Sequence, residues 1–249
     1  MYNRLTAAGA LALALCGTAS AQDYIGLGAA FVPEYEGADD YKVSPWPLVN
    51  YERGMFFISP RGGLPSLGLK MPLGADLEGG IFAGMSGGRD SSDSDRLSGL
   101  EDIDFHATYG AFLSWHPGRF SGTVAYRQAA KSGYGGTLDI DARYTVLQSG
   151  SDTVHLGLGT EWGNSDHMST WFGVSTGDAA RSRAGLRPYS ASSGFSSASA
   201  YAVWSHRLTK RWSTMAVVGV KTLLGDARDS PLVERETAAF GGVGLTYNF

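Results

Sequence analysis

Ionisable side chains recur at every second position in several segments, and this spacing limits the chemistry they can do. Asp102, Asp104 and His106 share one face of a predicted strand, with alternate Cα atoms about 6–7 Å apart. A carboxylate beside an imidazole can orient a general base or contribute to a metal site. The five His residues are scattered and form no H-x-H or HExxH pattern. Because structural zinc needs about four ligands, the sequence predicts no metal and no cofactor.

A second candidate for chemistry is His167, which has Ser and Asp neighbours in the sequence NSDHMS. A serine hydrolase needs a Ser, a His within reach and a third group that orients the His. Neighbours in sequence do not by themselves give that geometry. We therefore predict that the protein is not an enzyme.

The remaining candidates lie on the polar faces of neighbouring predicted strands, where they would converge in a common lumen. Buried charges must be paired or hydrated, so this set is interpreted first as an internal ion-pair network that fills and rigidifies a barrel. A narrow polar channel and an active site are the alternatives. The predicted network consists of Asp76, Glu78, Asp102, Asp104, His106, Arg127, Asp139, Asp141, Arg143, His155, Glu161 and Lys221.

The elements that must position these residues show a period of two. In 102–116 the odd positions are apolar and most even positions are polar, and 135–147 and 152–162 repeat the pattern. Such strands exceed the usual length of about 5–6 residues. Long strands with one apolar face and one polar or Gly face are typical of an outer-membrane barrel, since lipid requires a closed sheet. A soluble β-sandwich explains the alternation but not the polar groups that share one face.

Composition excludes several other classes of protein. Glycine supplies 35 of 249 residues without a G-X-Y period, which excludes collagen, and the 12% of aromatic residues excludes a disordered chain. A net charge of −4 without a long basic run argues against nucleic acid as a partner. Past residue 21, no apolar run approaches the ~18 residues of a membrane-spanning helix.

The two ends of the chain carry targeting features. Residues 1–21 combine Arg4, an apolar stretch and the small-x-small sequence Ala19-Ser20-Ala21, so they predict a secretory signal peptide that is cleaved to leave a barrel of residues 22–249. The final strand places Tyr247 and the terminal Phe249 on its apolar face. This end resembles the signal by which the barrel-assembly machinery recognises outer-membrane barrels for insertion.

The pattern predicts a single antiparallel transmembrane β-barrel of about twelve strands. An even number returns both termini to the periplasm. The hairpin 54–61 and 67–72 is the weakest pair because Pro60, Pro65 and Pro72 disfavour pairing in a central strand, and without it the barrel has ten strands. The predicted strands are 23–33, 42–52, 54–61, 67–72, 75–88, 102–116, 118–130, 135–147, 152–163, 193–207, 211–225 and 237–249.

Short connections are assigned to the periplasm, whereas the long loops 34–41, 89–101, 164–192 and 226–236 are assigned to the outside. Basic and aromatic residues in 164–192 favour an ordered lid on the barrel, with lipopolysaccharide phosphates or another external ligand as the alternative. Acidic residues in 34–41 are hypothesised to pair with those arginines. The candidate loop contacts are Glu34, Glu36, Asp39, Asp40, Trp171, Phe172, Arg181, Arg183, Arg187 and Tyr189.

Several motifs, taken as a set, resemble the MltA-interacting protein family of outer-membrane barrels (MipA/OmpV). The motifs span almost the whole mature chain, with Trp171 standing where the family leads us to expect Tyr. They are PEYEGADDYKVSPWPLVNY at 33–51, GLEDID at 99–104, TWFGVS at 170–175, RPYSASSG at 187–194 and LLGDARDSPLVE at 223–234.

The resemblance implies a barrel in the outer membrane of a Gram-negative bacterium, in contact with membrane lipid and lipopolysaccharide. It also implies a scaffold in murein turnover that links a lytic transglycosylase to a penicillin-binding protein. Porin-like or adhesive members make a narrow channel, or a ligand-binding barrel that uses its outer loops, the alternative. The resemblance supplies no catalytic residues.

Overall fold

The computed structural model describes residues 23–60 and 64–249. These residues form one closed antiparallel barrel of twelve strands, in which β12 pairs with β1. The strands are β1 Tyr24–Pro33, β2 Tyr41–Arg53, β3 Phe56–Ser59, β4 Ser66–Pro72, β5 Leu77–Ser86, β6 His106–Trp115, β7 Phe120–Ala129, β8 Gly136–Ser149, β9 Asp152–Gly163, β10 Gly194–Arg207, β11 Trp212–Leu223 and β12 Thr237–Asn248. The prediction of an all-β antiparallel barrel with twelve strands is confirmed, and the predicted signal peptide, 1–21, lies outside the described residues.

The alternation of apolar and polar residues determines which face of each strand contacts the membrane. Ile25, Leu27 and Val243 lie on the outer face and are strongly exposed, whereas Leu48 and Phe57 on the inner face are only 1% exposed. Because lipid tolerates neither an open sheet edge nor unpaired backbone groups, a closed barrel with an apolar outer belt is a membrane-spanning barrel. The protein is thus an outer-membrane barrel of the Gram-negative type.

Aromatic residues mark the two borders of this belt. At the end of the barrel that carries the short turns, Trp115 packs against Phe120 and Trp212 packs against Tyr247. At the opposite end, Phe31 and Tyr41 stack with ring centroids 4.6 Å apart. Aromatic side chains at both ends are typical of the interfaces between lipid and water.

All long connections emerge from one end of the barrel, the loop end, and all short ones from the other, the turn end. The loop end carries three helices: α1 Ser165–Phe172, α2 Thr176–Arg181 and α3 Gly225–Arg228. A 3₁₀ turn covers Asp95–Leu97. None of the helices in the described part of the chain is long and apolar enough to cross a bilayer.

The predicted strand 102–116 is too long at its start, because β6 begins at His106. Ile103 instead pairs with Arg89 in an isolated antiparallel bridge within the loop, and its side chain is buried. Asp102 and Asp104 are exposed on that loop. Asp76 is likewise exposed, in the turn before β5. The assignment of these three carboxylates to the lumen is therefore wrong, since alternation within a loop mimicked a strand.

Candidate functional site

The loop end is closed by an ordered lid, which we define as the segments 164–193 and 224–236. Met168 and Phe172 of α1 pack with Ala227 of α3 and with Leu223 at the end of β11. A second apolar cluster joins Tyr35, Leu97, Val174 and Leu232 from four different loops. The β1–β2, β5–β6, β9–β10 and β11–β12 loops all contribute to these two clusters, so the lid packs with its neighbouring loops around a small hydrophobic core.

Local capping explains why α1 forms where it does. The Asn164 side-chain oxygen accepts hydrogen bonds from the His167 backbone N–H at 2.9 Å and from that of Gly136, at the start of β8, at 3.0 Å. Asn is a favoured N-cap residue because it satisfies a backbone donor that has no partner within the helix. The cap therefore fixes the helix to the rim of the barrel.

The opposite end of α1 is held by two side chains from other loops. Arg89 donates to the Trp171 carbonyl at 2.7 Å, and Ser230 donates to the Phe172 carbonyl at 2.6 Å. Burial lowers the pKa of Arg89 to about 10, with Tyr35 and three nearby aspartates acting in the opposite sense. Its buried guanidinium joins the loop after β5 to the lid.

A charged chamber lies directly under α1, inside the loop end of the barrel. It has a volume of about 100 Å³, and its lining includes Glu36, Glu161, His167, Ser196 and Lys221. Lys221 pairs with Glu36 at 2.7 Å, which joins β11 to the β1–β2 loop. Glu161 accepts a hydrogen bond from Ser196 at 2.8 Å and lies 3.7 Å from His167 Nε2. The chamber thus connects three walls of the barrel with the lid.

Deeper ion pairs continue along the inner face of β7 and β8. Arg127 pairs with Asp139 at 2.7 Å, and Asp139 is 1% exposed. Nearer the turn end of β8, Asp141 and Arg143 pair at 2.8 Å. The Arg143 Nε also donates to the Tyr201 hydroxyl at 2.7 Å. The Tyr201 hydroxyl in turn donates to Asp141. Asp141, Arg143 and Tyr201 satisfy one another, as burial requires. Asp139 is bound through Oδ2, whereas its buried Oδ1 has no hydrogen-bond partner among the described residues.

Apolar side chains fill the inner face beside these pairs. Phe57, Phe82, Phe112 and Ala125 form a cluster on β3, β5, β6 and β7. A second cluster covers β1, β2 and β10–β12 and includes Trp46 and Leu48. Inward residues of a water-filled pore would be solvated, so burial on this scale shows that the middle of the lumen is packed with side chains.

Inward-facing polar residues from the predicted network lie at different levels of the barrel. The His106 Nδ1 donates to the Asp104 carbonyl at 2.9 Å, and the His155 Nδ1 lies 3.0 Å from the Thr145 hydroxyl. Glu78 joins Lys70 at 3.2 Å near the turn end, where Lys70 also pairs with Glu52 at 2.5 Å. Sequence reasoning missed Glu52, Lys70 and Tyr201, although parity along β2, β4 and β10 places them on inner faces. It also missed Ser196, which lies at a β-bulge near the start of β10 and so departs from the parity of that strand.

The loop contacts differ from the hypothesised pairing of acidic residues with arginines. Arg181 pairs with Asp178 at 2.8 Å and lies 3.7 Å from Glu101. Glu36 turns inward to Lys221, and the Arg187 guanidinium lies over the Tyr189 ring. That pairing is wrong because 34–41 packs beside the 232–235 segment, with Glu234 N and Arg235 N donating to the Gly37 carbonyl. Asp39, Asp40, Arg183 and Arg187 remain exposed.

The chamber does not assemble a nucleophile with its base. The Ser196 hydroxyl donates to a Glu161 carboxylate oxygen, and the same oxygen faces His167. A carboxylate thus stands where a serine nucleophile would need an imidazole. Among residues 23–60 and 64–249, no three His, Cys, Asp or Glu side chains cluster as metal ligands would.

A larger cleft of about 700 Å³ opens outside the lid. Its walls come from the β5–β6 loop, the β7–β8 loop and the segment 169–190, and they include Glu101, Lys131, Tyr134 and Tyr189. Lys131 pairs with Asp104 at 2.5 Å beside this cleft.

Comparison with known proteins shows that nearly the whole chain matches one protein family. A family model described as MltA-interacting protein MipA matches residues 25–249. The MltA-interacting protein of Escherichia coli (strain K12) is 28% identical over 262 residues, covering 99% of this chain and 98% of that protein. The MltA-interacting protein of Shigella flexneri gives the same identity and coverage.

Solved structures that align with most of the chain include outer-membrane proteins. An outer membrane channel from Pseudomonas putida F1 aligns with a TM-score of 0.44 and 12% identity, over 93% of this chain and 97% of that one. OmpT of Vibrio cholerae aligns with a TM-score of 0.38 and 10% identity, over 92% of this chain and 80% of that one.

Proposed function

This chain belongs to the MltA-interacting protein family, and from that premise we propose that it is a non-enzymatic outer-membrane scaffold in murein turnover. Its relatives are named as MltA-interacting proteins. As the family resemblance implies, its partners would be a lytic transglycosylase and a penicillin-binding protein that synthesises murein. The barrel would hold the two enzymes together at the membrane surface.

The observation that supports this proposal most is the packed lumen. Buried Leu48 and Phe57 line its middle, and the lid closes its loop end. A barrel without an open path has its two end surfaces left for function. The packing therefore favours an interaction protein over the alternative of a narrow channel.

We assign the enzyme contact to the turn end, because murein lies in the periplasm and an even number of strands returns both termini there. Exposed basic residues at this end include Arg119, Lys210 and Arg211. A stable interface usually needs ~800 Å² on each partner from ~20–30 residues. The five short turns contain only 16 residues together. The contact would therefore extend over most of the turn end.

Photocrosslinking in cells tests this assignment. A photoreactive residue replaces Arg119 at the turn end or, as a matched exposed site, Arg183 at the loop end. Arg119 is preferred to Gly118, whose φ of 59° disfavours a side chain. We expect a lytic transglycosylase or a penicillin-binding protein to be recovered from position 119 and not from 183. Recovery of these enzymes only from position 183 would contradict the assignment. Failure to recover them from position 119, from position 183 and from a second turn-end site at Lys210 would contradict it as well.

The outer cleft supports a second candidate function, a barrel that binds an external ligand through its loops. The cleft is large and combines hydroxyl, aromatic and charged groups. Binding of purified lipopolysaccharide or host glycans to the refolded barrel would support this function if Tyr134→Ala weakened it. Equal binding by the wild type and by Tyr134→Ala would count against the cleft.

A further inference from the structure

The interior of the turn end contains a second cavity, which we call the vestibule. Its volume is about 220 Å³, and its lining comes from the turn-ward ends of β8–β12 and β1. Met215 and Tyr24 are among its buried lining residues. The packed middle of the lumen separates the vestibule from the charged chamber, so the two cavities are distinct sites.

The chemistry of the vestibule differs from that of the chamber. Among residues 23–60 and 64–249, no Asp or Glu lines the vestibule, whereas Glu34, Glu36 and Glu161 all line the chamber. The hydroxyl and amide side chains that line the vestibule are Thr145, Gln148, Ser151, Thr153, Ser205, Ser213, Thr214, Thr246 and Asn248. Its basic groups are Arg207, His155 and His206. Because His206 pairs with Asp152 at 2.9 Å, the positive charge that this lining offers comes from Arg207.

Part of this hydrogen-bonding capacity is unused within the described residues. The Ser205 hydroxyl oxygen is buried and has no hydrogen-bond partner there. Arg207 donates from one Nη to the Gly150 carbonyl at 3.1 Å, and a guanidinium carries five N–H donors in all. The carboxylate of Asp152 on β9 is bound by Trp204 at 2.9 Å and by His206 at 2.9 Å.

The size of the vestibule limits its ligand. One water molecule occupies ~30 Å³ of the liquid, so the vestibule holds roughly seven waters or one short polar segment of two amino-acid residues. An Arg at the mouth favours a carboxylate, because charge-assisted hydrogen bonds are roughly twice as strong as neutral ones. The hydroxyls and amides suit the amide groups that accompany it.

We propose that the vestibule binds the carboxylate-bearing stem peptide of murein. This inference rests on the proposed function, since it requires the turn end to face the periplasm. Murein peptides are short, rich in amides and end in free carboxylates, which matches the lining. The barrel would then hold the murein strand beside the enzymes that act on it, in addition to holding the enzymes.

Calorimetric titration of the refolded full barrel with a soluble murein disaccharide-tetrapeptide tests the inference. The wild type is expected to bind, and Arg207→Gln to weaken binding about tenfold or more, because it removes a hydrogen bond to a charged group. Arg183→Gln, an exposed change at the loop end, serves as the matched control with unchanged affinity.

Three results would overturn the inference: no binding at millimolar peptide, equal binding by Arg207→Gln and wild type, or equal binding of the uncharged disaccharide chitobiose. Crosslinking in cells from position 119 separates a failure of the vestibule site from a failure of the scaffold. Recovery of a murein enzyme without peptide binding would remove only the vestibule site. Peptide binding without recovery of an enzyme would remove only the scaffold.

Discussion

At the scale of single residues, the inside of the barrel depends on charges that are paired at close range. Arg127 and Asp139 form such a pair, and Asp139 is almost completely buried. Losing one partner leaves an uncompensated buried charge, which costs ~3–5 kcal/mol, whereas an apolar pair of similar volume is often neutral. If one of these two charges is buried in the barrel, the other is therefore needed to compensate it.

We predict that Arg127→Met and Asp139→Leu each lower the free energy of unfolding by ~3–5 kcal/mol and that the double variant recovers most of the loss. Urea titration of the barrel in lipid vesicles measures this. Lys131→Met, which breaks the exposed pair with Asp104, is the control and should leave the midpoint unchanged. Additive losses in the double variant would show that the two charges do not depend on each other.

A second prediction concerns Tyr35 in the β1–β2 loop. Its hydroxyl oxygen lies 2.8 Å from a Glu234 carboxylate oxygen and 3.0 Å from the Leu232 carbonyl. Burial, and then the hydrogen bond to Glu234, raise the pKa of Tyr35 well above its usual value. The folded state therefore keeps the proton to higher pH than the unfolded state does. The stability it contributes is complete below about pH 10 and falls as the pH rises beyond that value.

Tyr35→Phe should accordingly lower the melting temperature at pH 7, through the loss of ~1.5–3 kcal/mol for a hydrogen bond to a charged group. The difference between the variant and the wild type should shrink from pH 10 to pH 11. Circular dichroism melts over this range provide the measurement. A constant difference across the range would show that Tyr35 ionisation is not linked to folding.

The sequence predicted which strand faces turn inward, but not all the partners of the residues on them. Parity placed Asp139, Asp141 and Arg143 on one inner face because a strand has a fixed period of two. It did not reveal that Tyr201, from a different strand, joins Asp141 and Arg143, since pairing between distant segments depends on register. Asp102 and Asp104 show the opposite limit, where alternation continued beyond the end of a strand.

At the scale of elements, small residues on one strand make room for large ones on the next. A Cβ atom at Gly157 on β9 would lie 2.2 Å from the Tyr201 ring. Tyr201 can therefore lie flat over β9 and reach Asp141 and Arg143 on β8. The high glycine content thus has a packing role on the inner face of the barrel.

We predict that Gly157→Val destabilises the barrel by ~1–3 kcal/mol, the usual cost of overpacking, and that it disrupts the Tyr201 contacts. Adding Tyr201→Ala should relieve the clash, so that the two losses are not additive. Gly194→Ala is the control, since nothing lies within 4 Å of a Cβ atom there. Heat modifiability on gels and urea midpoints report the effect. An unchanged midpoint in Gly157→Val would refute the packing role.

The helices of the lid were not predicted as helices, although local signals for them exist. Asn164 and Ser175 stand one residue before α1 and α2, and each accepts a hydrogen bond from a backbone N–H of its helix. Helices of eight and six residues carry too little periodicity to be recognised. Capping residues are the better signal in such loops. The sequence favoured an ordered lid in 164–192, but it did not predict that this lid contains helices.

At the scale of the whole molecule, the packed lumen predicts that the barrel does not conduct ions. Purified protein in planar bilayers should give no discrete, reproducible conductance steps. A variant with Phe57→Ala and Phe112→Ala, which opens the apolar cluster on β3–β7, tests whether packing causes the closure. Reproducible conductance steps in the wild type would favour the channel alternative. They would also contradict the packed lumen, which is the main structural support for the scaffold proposal.

The central claim is that the turn end carries the interaction with a murein enzyme, and a binding measurement tests it most directly. The barrel in nanodiscs is titrated with a purified lytic transglycosylase of the same organism and then with a penicillin-binding protein. The account predicts saturable binding of both enzymes, weakened at least tenfold by Arg119→Glu with Lys210→Glu and unchanged by Arg183→Glu with Arg187→Glu. Binding that is lost only in the loop-end pair, or absent from the wild type, would contradict it.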